Sequence, residues 1–232
     1  MNRIWAGIDS GKTHHHCVAI DQDGTERLSR RVPNGESELL QLLQDVFAIA
    51  SRPEVWMLSS SARARTAGEL GLGYAFAGFI NPDGAAHALL RHSAWAQPAA
   101  HGPAGRRSIL AVGTVVANTD TEAQRLAWPR TALLAHVART GSSALVPTVE
   151  EAARELVDAE KETPTVITDG RWPRQIAGIP TTVRDQIEQM TKATGVDEVM
   201  VQDMIADPQT RAHSRALLAQ ALGVAPDRAA AA

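Results

Sequence analysis

The first fifty residues contain three short runs typical of β-strands, followed by a run with apolar residues at helical spacing. The predicted strands are Ile4 to Ile8, His15 to Asp21 and Glu26 to Val32, and turn residues such as Gln22-Asp23-Gly24 separate them. A helix is predicted from Ser37, because apolar side chains then recur every three or four residues. The N-terminal pattern therefore predicts a three-stranded meander and a helix.

From Val55 onward the pattern alternates between short apolar strands and amphipathic helices. The predicted strands are Val55–Leu58, Tyr74–Ala77, Ser108–Ala117, Val166–Ile167 and Glu198–Gln202. The predicted helices are Ala62–Leu70, Asp83–His92, Asp120–Ala135 with a break or kink at Pro129, Val149–Glu160, a helix capped by Thr181 that runs through Thr191 and is ended by Gly195, and Pro208–Leu222. Strands separated by helices of this length indicate parallel pairing and an α/β fold.

Small polar residues, Ser59 to Ser61, lie between the strand at Val55–Leu58 and the following helix. Unpaired backbone N–H groups and the positive end of the helix dipole favour a phosphate at such a place. The loop is the first candidate binding site. The alternative interpretation is a serine-rich turn that caps the helix and binds no ligand.

Composition narrows the possible classes of protein. The chain has 232 residues, 44% hydrophobic content, a formal charge of -3 and a sequence pI near 6.2, so a broadly basic surface for nucleic acid is excluded. Cys17 allows no internal disulfide and is interpreted as a small buried strand residue. With neither a signal peptide nor an apolar run long enough to span a membrane, we expect a soluble, cytoplasmic protein without a membrane partner. The tail, residues 225–232, is predicted to be disordered.

Three adjacent histidines, His14 to His16, fall at the start of the second predicted strand. Successive side chains of a strand point to opposite faces, so the three imidazoles are not expected to converge on one metal ion.

The segment WAGIDSGKTHHHCVAIDQDGTERLSRRVPNGESELLQLL resembles the N-terminus of the DEDD-type insertion-sequence transposases. The resemblance implies a ribonuclease H-like fold, action on DNA, and Asp9 as the first of four acids that hold two divalent metal ions such as Mg2+. The next strand, where that family has its second acid, carries no carboxylate here, and no downstream acid lies in a matching motif: Asp120, Asp169, Asp185, Glu188 and Asp203. The alternative interpretation is that Asp9 only ends a strand.

The remainder, Val55 to Val224, resembles the C-terminal half of the bacterial luciferase-like monooxygenases, which are flavin-dependent (β/α)8 barrels. Three motifs carry the resemblance: VWMLSSSARARTAGELGLGYAFAGFINPDGA, RSILAVGTVVANTDTEAQRLA and IAGIPTTVRDQIEQMTKATGVDEVMVQDMIADPQTRAHSRALLAQALG. It implies reduced flavin mononucleotide (FMN) as cofactor, dioxygen chemistry on a small organic substrate, and a phosphate-binding turn. That turn comprises Ser59, Ser60, Ser61, Ala62 and Arg63, although family members usually have glycine at the place of Ser59 and serine at that of Ala64.

Together the patterns predict a chimera of two domains. Residues 1–53 form a transposase-like fragment with ribonuclease H-like strands and a helix, and residues 54–224 form the second half of a luciferase-like TIM barrel. The leading functional prediction is a truncated FMN-dependent monooxygenase. The alternatives are a transposase fragment that acts on DNA with Mg2+ bound at Asp9, and a fusion remnant with no function of its own. Because four of eight barrel strands are missing, the open barrel edges predict self-association.

Overall fold

The computed structural model describes residues 4–10, 13–49, 54–61, 63–98, 107–196 and 198–224. They divide into two compact units, the first ending at Val55 and the second beginning at Trp56. The predicted disordered tail lies outside the described residues.

The first unit is a three-stranded antiparallel sheet and one helix, as predicted. The strands β1 (Ile4–Ser10), β2 (His14–Asp21) and β3 (Glu26–Pro33) pair in the order β1-β2-β3, and α1 follows at Glu36–Ile49. Cys17 is fully buried against Val32 and Leu42, which agrees with its predicted packing role, and burial raises the pKa of its thiol.

The turn between β2 and β3 is held by a buried carboxylate. Asp21 Oδ1 accepts the backbone N–H groups of Asp23 and Thr25, each at 3.0 Å, and Asp21 Oδ2 lies 2.9 Å from Arg27 Nε. An Asx-type turn of this kind stabilises the connection between the two strands.

The second unit is built on a parallel sheet, so the predicted α/β class is confirmed. Its strands are β4 (Trp56–Ser59), β5 (Gly73–Ala77), β6 (Ser108–Val116), β7 (Ile176–Gly178) and β8 (Glu198–Gln202). The pairing order is β4-β5-β6, while β8 pairs with residues 109–113 of β6 and β7 pairs with residues 114–116. Within the described residues the sheet does not close into a barrel, and β4 and β8 each pair with a single strand.

Seven helices occur in the described part of this unit. They are α2 (Ala64–Glu69), α3 (Pro82–Trp95), α4 (Asp120–Thr140), α5 (Val149–Glu155), α6 (Asp158–Lys161), α7 (Pro180–Thr194) and α8 (Pro208–Ala221). Local chemistry sets their ends. The Asn81 side chain caps α3, the Thr119 side chain caps α4, and Gly195 ends α7 in the left-handed conformation as the sequence indicates. None of the helices described is both long and apolar enough to cross a membrane.

The core of the second unit lies between β5, β6 and the helices that pack on them. Tyr74, Phe76 and Leu110 are almost fully buried, and the predicted apolar face of α7, formed by Val183, Ile187 and Met190, packs into the same cluster. Strand β6 is buried along nearly its whole length, as expected for a parallel strand with both faces covered.

Three local predictions in this unit were wrong, and a fourth was wrong in part. The helix predicted at Val149–Glu160 is two helices, because Leu156 turns to an extended conformation and buries its side chain against Ala132 and Ala152. No strand forms at Val166–Ile167, where the N–H of Ile167 instead bonds to the side chain of Gln186 at 2.5 Å.

The other two corrections concern helix ends. Helix α4 is not broken at Pro129 but continues to Thr140, with the proline ring buried, so the break is absent and a kink stays a prediction. Helix α7 begins at Pro180 with Ile179 as its N-cap, so Thr181 lies inside the helix and does not cap it. Proline is favoured at this first helical position because its missing N–H has no intrahelical partner there anyway.

The chain leaves the sheet at the end of β6 and rejoins it at β7; we call the segment between them the excursion. Hydrogen bonds connect its two ends. The N–H of Ala117 donates to Gly178 O at 3.2 Å, and the N–H of Ile179 donates to Asp120 Oδ1 at 3.0 Å. A Cβ atom on Gly178 would lie 2.9 Å from Thr182 Cγ2 and 3.1 Å from Asp120 Oδ1, so a larger residue would force these side chains to move. We call these contacts the clasp.

Candidate functional site

The carboxyl ends of the parallel strands lie at one edge of the second unit's sheet. Ser59 ends β4, Ala77 ends β5 and Gln202 ends β8. In parallel α/β folds this is the edge at which binding sites form. The predicted phosphate-binding loop, which begins at Ser59, is therefore at the appropriate end of the sheet.

Within the loop, Ser59 and Ser61 form hydrogen bonds with each other. Ser59 Oγ accepts the backbone N–H of Ser61 at 3.0 Å and lies 3.4 Å from Ser61 Oγ. Ser59 and Ser60 are half-buried, whereas the Ser61 and Arg63 side chains are exposed. Ala62 lies outside the described residues. The loop is a tight serine turn that exposes one hydroxyl and one guanidinium to solvent.

Two residues that sequence reasoning missed hold the loop in place. The Tyr74 hydroxyl donates to Ser61 O at 3.3 Å, and Asn81 Nδ2 donates to Ser60 O at 2.9 Å. Burial raises the pKa of Tyr74, so the phenol stays protonated and remains a donor. A signal for Tyr74 was present, because the hydroxyl of a buried tyrosine needs a polar partner. Both loop carbonyls thus bond to these two side chains.

The helix after the loop begins later than predicted. Helix α2 starts at Ala64, its N-cap is Arg63, and no side chain caps it. The capping part of the alternative interpretation is therefore wrong, since Ser59 bonds within the turn instead. Its other part, that the turn binds no ligand, stays a prediction. With six residues, α2 has a small dipole, so side chains and backbone N–H groups would have to provide most of the attraction for a phosphate.

Asp9 is the second-to-last residue of β1, where it pairs in register with His16, so it lies within one residue of the predicted end of the strand. Its side chain falls outside what the structure describes. Among the described residues no group of three or more His, Cys, Asp and Glu side chains is placed to hold a metal ion.

Several of the downstream acids have structural partners. Asp203 pairs with Arg215 at 2.7 Å, Asp185 pairs with Arg184 at 2.8 Å, and Asp120 belongs to the clasp.

The histidine triplet alternates as predicted. Along β2, His14 and His16 are exposed and His15 is buried. The His16 ring lies 3.3 Å from the Ser29 hydroxyl and the His14 ring lies 3.2 Å from the Thr13 hydroxyl. The three rings do not form one ligand set.

Known proteins match the two ends of the chain differently. Residues 6–70 match a family model described as a transposase, of the DEDD type found in IS110 elements. An uncharacterized 44.8 kDa protein of insertion element IS116 from Streptomyces clavuligerus is 44% identical over 66 residues, which cover 28% of this chain and 16% of that protein. The family match runs past the predicted boundary at residue 53 and includes β4 and α2.

A separate set of proteins matches most of the chain. The uncharacterized protein YceB of Bacillus subtilis (strain 168) is 31% identical over 174 residues, covering 74% of this chain and 51% of YceB. The crystal structure of apo-MsnO8 superimposes with a TM-score of 0.64 at 32% identity, covering 84% of this chain and 63% of that one.

The chain is a chimera whose two parts resemble different proteins. Its N-terminal segment is transposase-like, and the rest is an α/β unit on a parallel sheet, consistent with part of a luciferase-like TIM barrel, although its described strands do not close into a barrel. The chain spans less than two thirds of the length of YceB or MsnO8. Both resemblances predicted from the sequence are confirmed at this level.

Proposed function

We propose that the second unit binds reduced FMN through the loop Ser59–Arg63 and derives from a luciferase-like monooxygenase that acts on a small organic substrate. The observation that carries the proposal is the placement of this loop at the carboxyl edge of the sheet, with the Ser61 hydroxyl and the Arg63 guanidinium exposed. No carboxylate among the described residues pairs with Arg63, so its charge is available to a phosphate. When bound, the flavin would supply the reducing electrons for dioxygen chemistry.

The residues of the chain would orient this cofactor. The Ser60 and Ser61 hydroxyls and the Arg63 guanidinium would donate to the phosphate oxygens, and the resemblance adds the backbone N–H of Ala62. The backbone N–H of Arg63, which the resemblance also implies as a donor, instead donates to Ser61 O at 3.0 Å. Tyr74 and Asn81 would act as positioning residues, because their bonds to the loop carbonyls hold the turn against β5 and α3. Because these two bonds fix the loop carbonyls, the partial negative charges of the carbonyl oxygens would stay away from the phosphate. The phosphate would then bond only to side chains and N–H groups.

The test is a titration of the purified chain with FMN, followed by flavin anisotropy up to about 100 μM. We expect binding, weakened about tenfold in Arg63→Gln and less in Ser61→Ala, because a hydrogen bond to a charged group is stronger than a neutral one. Riboflavin, which lacks the phosphate, should bind equally to the wild type and to Arg63→Gln. Arg65→Gln is the matched control, since Arg65 is exposed on α2 but pairs with Glu69. An absence of any anisotropy change would disprove the flavin proposal.

A second candidate function is action on DNA, which the transposase family match favours. In this proposal Asp9 would contribute to a Mg2+ site, but β4, where the family has its next acid, carries no carboxylate. The test is a magnesium-dependent shift of DNA mobility that is lost in Asp9→Asn and falls with salt concentration. If neither FMN nor DNA binds, the remaining proposal is a fusion remnant without a function of its own.

Self-association follows from the same architecture and is also a proposal. The outer edges of β4 and β8 have no strand partner among the described residues, and unpaired parallel edges favour pairing with another chain. Sedimentation of the purified protein as a monomer over a wide concentration range would contradict it.

A further inference from the structure

A cavity of about 630 Å³ lies in the second unit, between α4 and the segment Thr163–Gln175. Pro82 and Asp83, at the start of α3, line its other side. The volume is in the range of small-molecule sites. The apolar part of the wall includes Leu134, Ala135 and Trp172.

A buried arginine forms part of the cavity wall. Arg130 of α4 is only 5% exposed, and neutral groups hold its guanidinium. Nη2 donates to Phe79 O at 2.6 Å, and Nη1 donates to Gln202 Oε1 at 3.1 Å, with Met204 Sδ at 3.6 Å. The Nε–H group has no partner in the described part of the chain. The side chain is therefore fixed in place, but its hydrogen-bonding capacity is not fully used.

The charge of Arg130 is not neutralised by a carboxylate. No described Asp or Glu forms an ion pair with it, and a second guanidinium, that of Arg174, lines the same cavity. Burial, with a smaller contribution from Arg174, lowers the pKa of Arg130, although an arginine stays charged at neutral pH. A buried cation beside a like charge is costly unless an anion compensates it.

The acids around the cavity do not supply that compensation. Asp83 lies 3.9 Å from Arg171, which also lines the cavity, and Asp169 is exposed. With three guanidinium groups and two carboxylates in its lining, the cavity carries an excess of positive charge. The apolar residues Leu134 and Trp172 favour a ligand with a flat apolar body.

We propose that this cavity is a binding site for a small organic carboxylate, whose anionic group is attracted by Arg130 and Arg174 and whose apolar body packs against Leu134 and Trp172. The site is distinct from the loop Ser59–Arg63, and none of its residues belongs to that loop. Binding there requires no flavin, so the proposal stands or falls independently of the flavin proposal. Trp172 in the cavity wall provides a built-in fluorescence reporter.

The experiment titrates the flavin-free protein with benzoate and with benzamide, which has nearly the same shape but no charge, and follows binding by calorimetry and tryptophan fluorescence. We expect benzoate to bind at least about tenfold more tightly than benzamide, the difference that one charge-assisted hydrogen bond supports. Inorganic phosphate, as a third probe, should bind more weakly than benzoate because it cannot use the apolar wall.

Variants locate the site. Arg174→Gln, at an exposed position, should weaken benzoate binding by about tenfold, and Arg130→Met should reduce the preference for benzoate over benzamide by a similar factor. Arg125→Gln is the matched control, because Arg125 is exposed on the same helix and does not line the cavity. Melting curves with and without benzoate provide a second measurement, in which the wild type should gain stability and Arg174→Gln should gain less.

The possible outcomes distinguish the carboxylate-site proposal from the flavin proposal. Equal binding of benzoate and benzamide, tighter binding of phosphate than benzoate, or unchanged benzoate binding in Arg174→Gln would each overturn the proposal. Because Arg174 is exposed, this variant keeps the test decisive even if Arg130→Met fails to fold. Loss of FMN binding with intact benzoate binding would disprove the flavin proposal alone.

Discussion

The two units of this chain build a core in different ways. In the first unit, β2 alternates between buried and exposed positions, and the main cluster of described buried residues has four members around Cys17 and Leu42. In the second unit, β6 is buried along nearly its whole length and the main cluster has fifteen members. An antiparallel sheet with one wet face needs few buried residues, whereas a parallel sheet must be covered on both faces. A three-stranded sheet with one helix is near the lower limit for independent stability.

The largest expected effect comes from removing one large core side chain in each unit. Phe76→Ala should destabilise the second unit by about 3–5 kcal/mol, and Leu42→Ala should destabilise the first by about 2–5 kcal/mol, because both side chains are fully buried. Hydrogen exchange measures each unit separately. We expect Phe76→Ala to expose amides of β5 and β6, and Leu42→Ala to expose those of β2 and β3. Loss of protection throughout the chain in either variant would show one shared core and would break the comparison.

A smaller effect separates a crowded glycine from an open one. A Cβ on Gly68 of α2 would lie 2.9 Å from the carbonyl carbon of Trp95 and 3.0 Å from His92 O, both backbone atoms of α3. Gly68→Ala should therefore cost about 1–3 kcal/mol despite the better helix propensity of alanine. Gly7→Ala in β1 is the control, because no described atom lies within 4 Å of the new Cβ, and a gain of up to about 1 kcal/mol is expected. Urea denaturation checks both; equal effects would contradict the close packing of α2 on α3.

The smallest effect concerns acid sensitivity of the second unit. His92 is buried, its Nε2 lies 2.9 Å from Leu72 O, and its ring stacks on Tyr74 at 5.2 Å. Burial lowers the pKa of His92, so below about pH 6.5 the unfolded chain takes up a proton that the folded chain does not. Stability contributed by this group is complete above that pH and is lost toward lower pH, by at most about 1.4 kcal/mol per pH unit.

Chemical denaturation at pH 7.5 and 5.5 measures this acid sensitivity. His92→Gln should reduce the pH dependence, whereas His87→Gln, at an exposed position of the same helix, should leave it unchanged. A pH dependence that persists in His92→Gln would show that other groups cause it.

Most strands and long helices were predictable because their apolar residues follow a local period. Strands β1 to β6 and β8 and helices α1, α3, α7 and α8 all lie within a few residues of their predicted bounds. The segment between α4 and α7 was not predictable in this way. Strand β7 has three residues and forms through pairing with β6, and Ile167 bonds to a side chain nineteen residues away. Such choices depend on tertiary partners rather than on local pattern.

The candidate sites show the same division. The serine loop could be found from the sequence because small polar residues interrupt an apolar pattern. Its supports, Tyr74 and Asn81, lie thirteen and twenty-one residues from the carbonyls that they bind. Arg130 left a fainter signal, since it follows Ala123 and Ala127 on the buried side of α4. Its partner atoms on Phe79 and Gln202 are 51 and 72 residues away, so its role could not be read from the sequence.

The clasp between Asp120, Gly178 and Ile179 holds together the two ends of the segment from α4 to β7, so this segment can be replaced as a unit. Because its ends are fixed at β6 and α7, the intervening chain can lengthen, shorten or change composition at a small entropic cost without altering the strand order. The same excursion supplies most of the cavity wall. If the cavity binds a carboxylate as proposed, a change confined to this one segment would alter the ligand preference while the supporting sheet stays as it is.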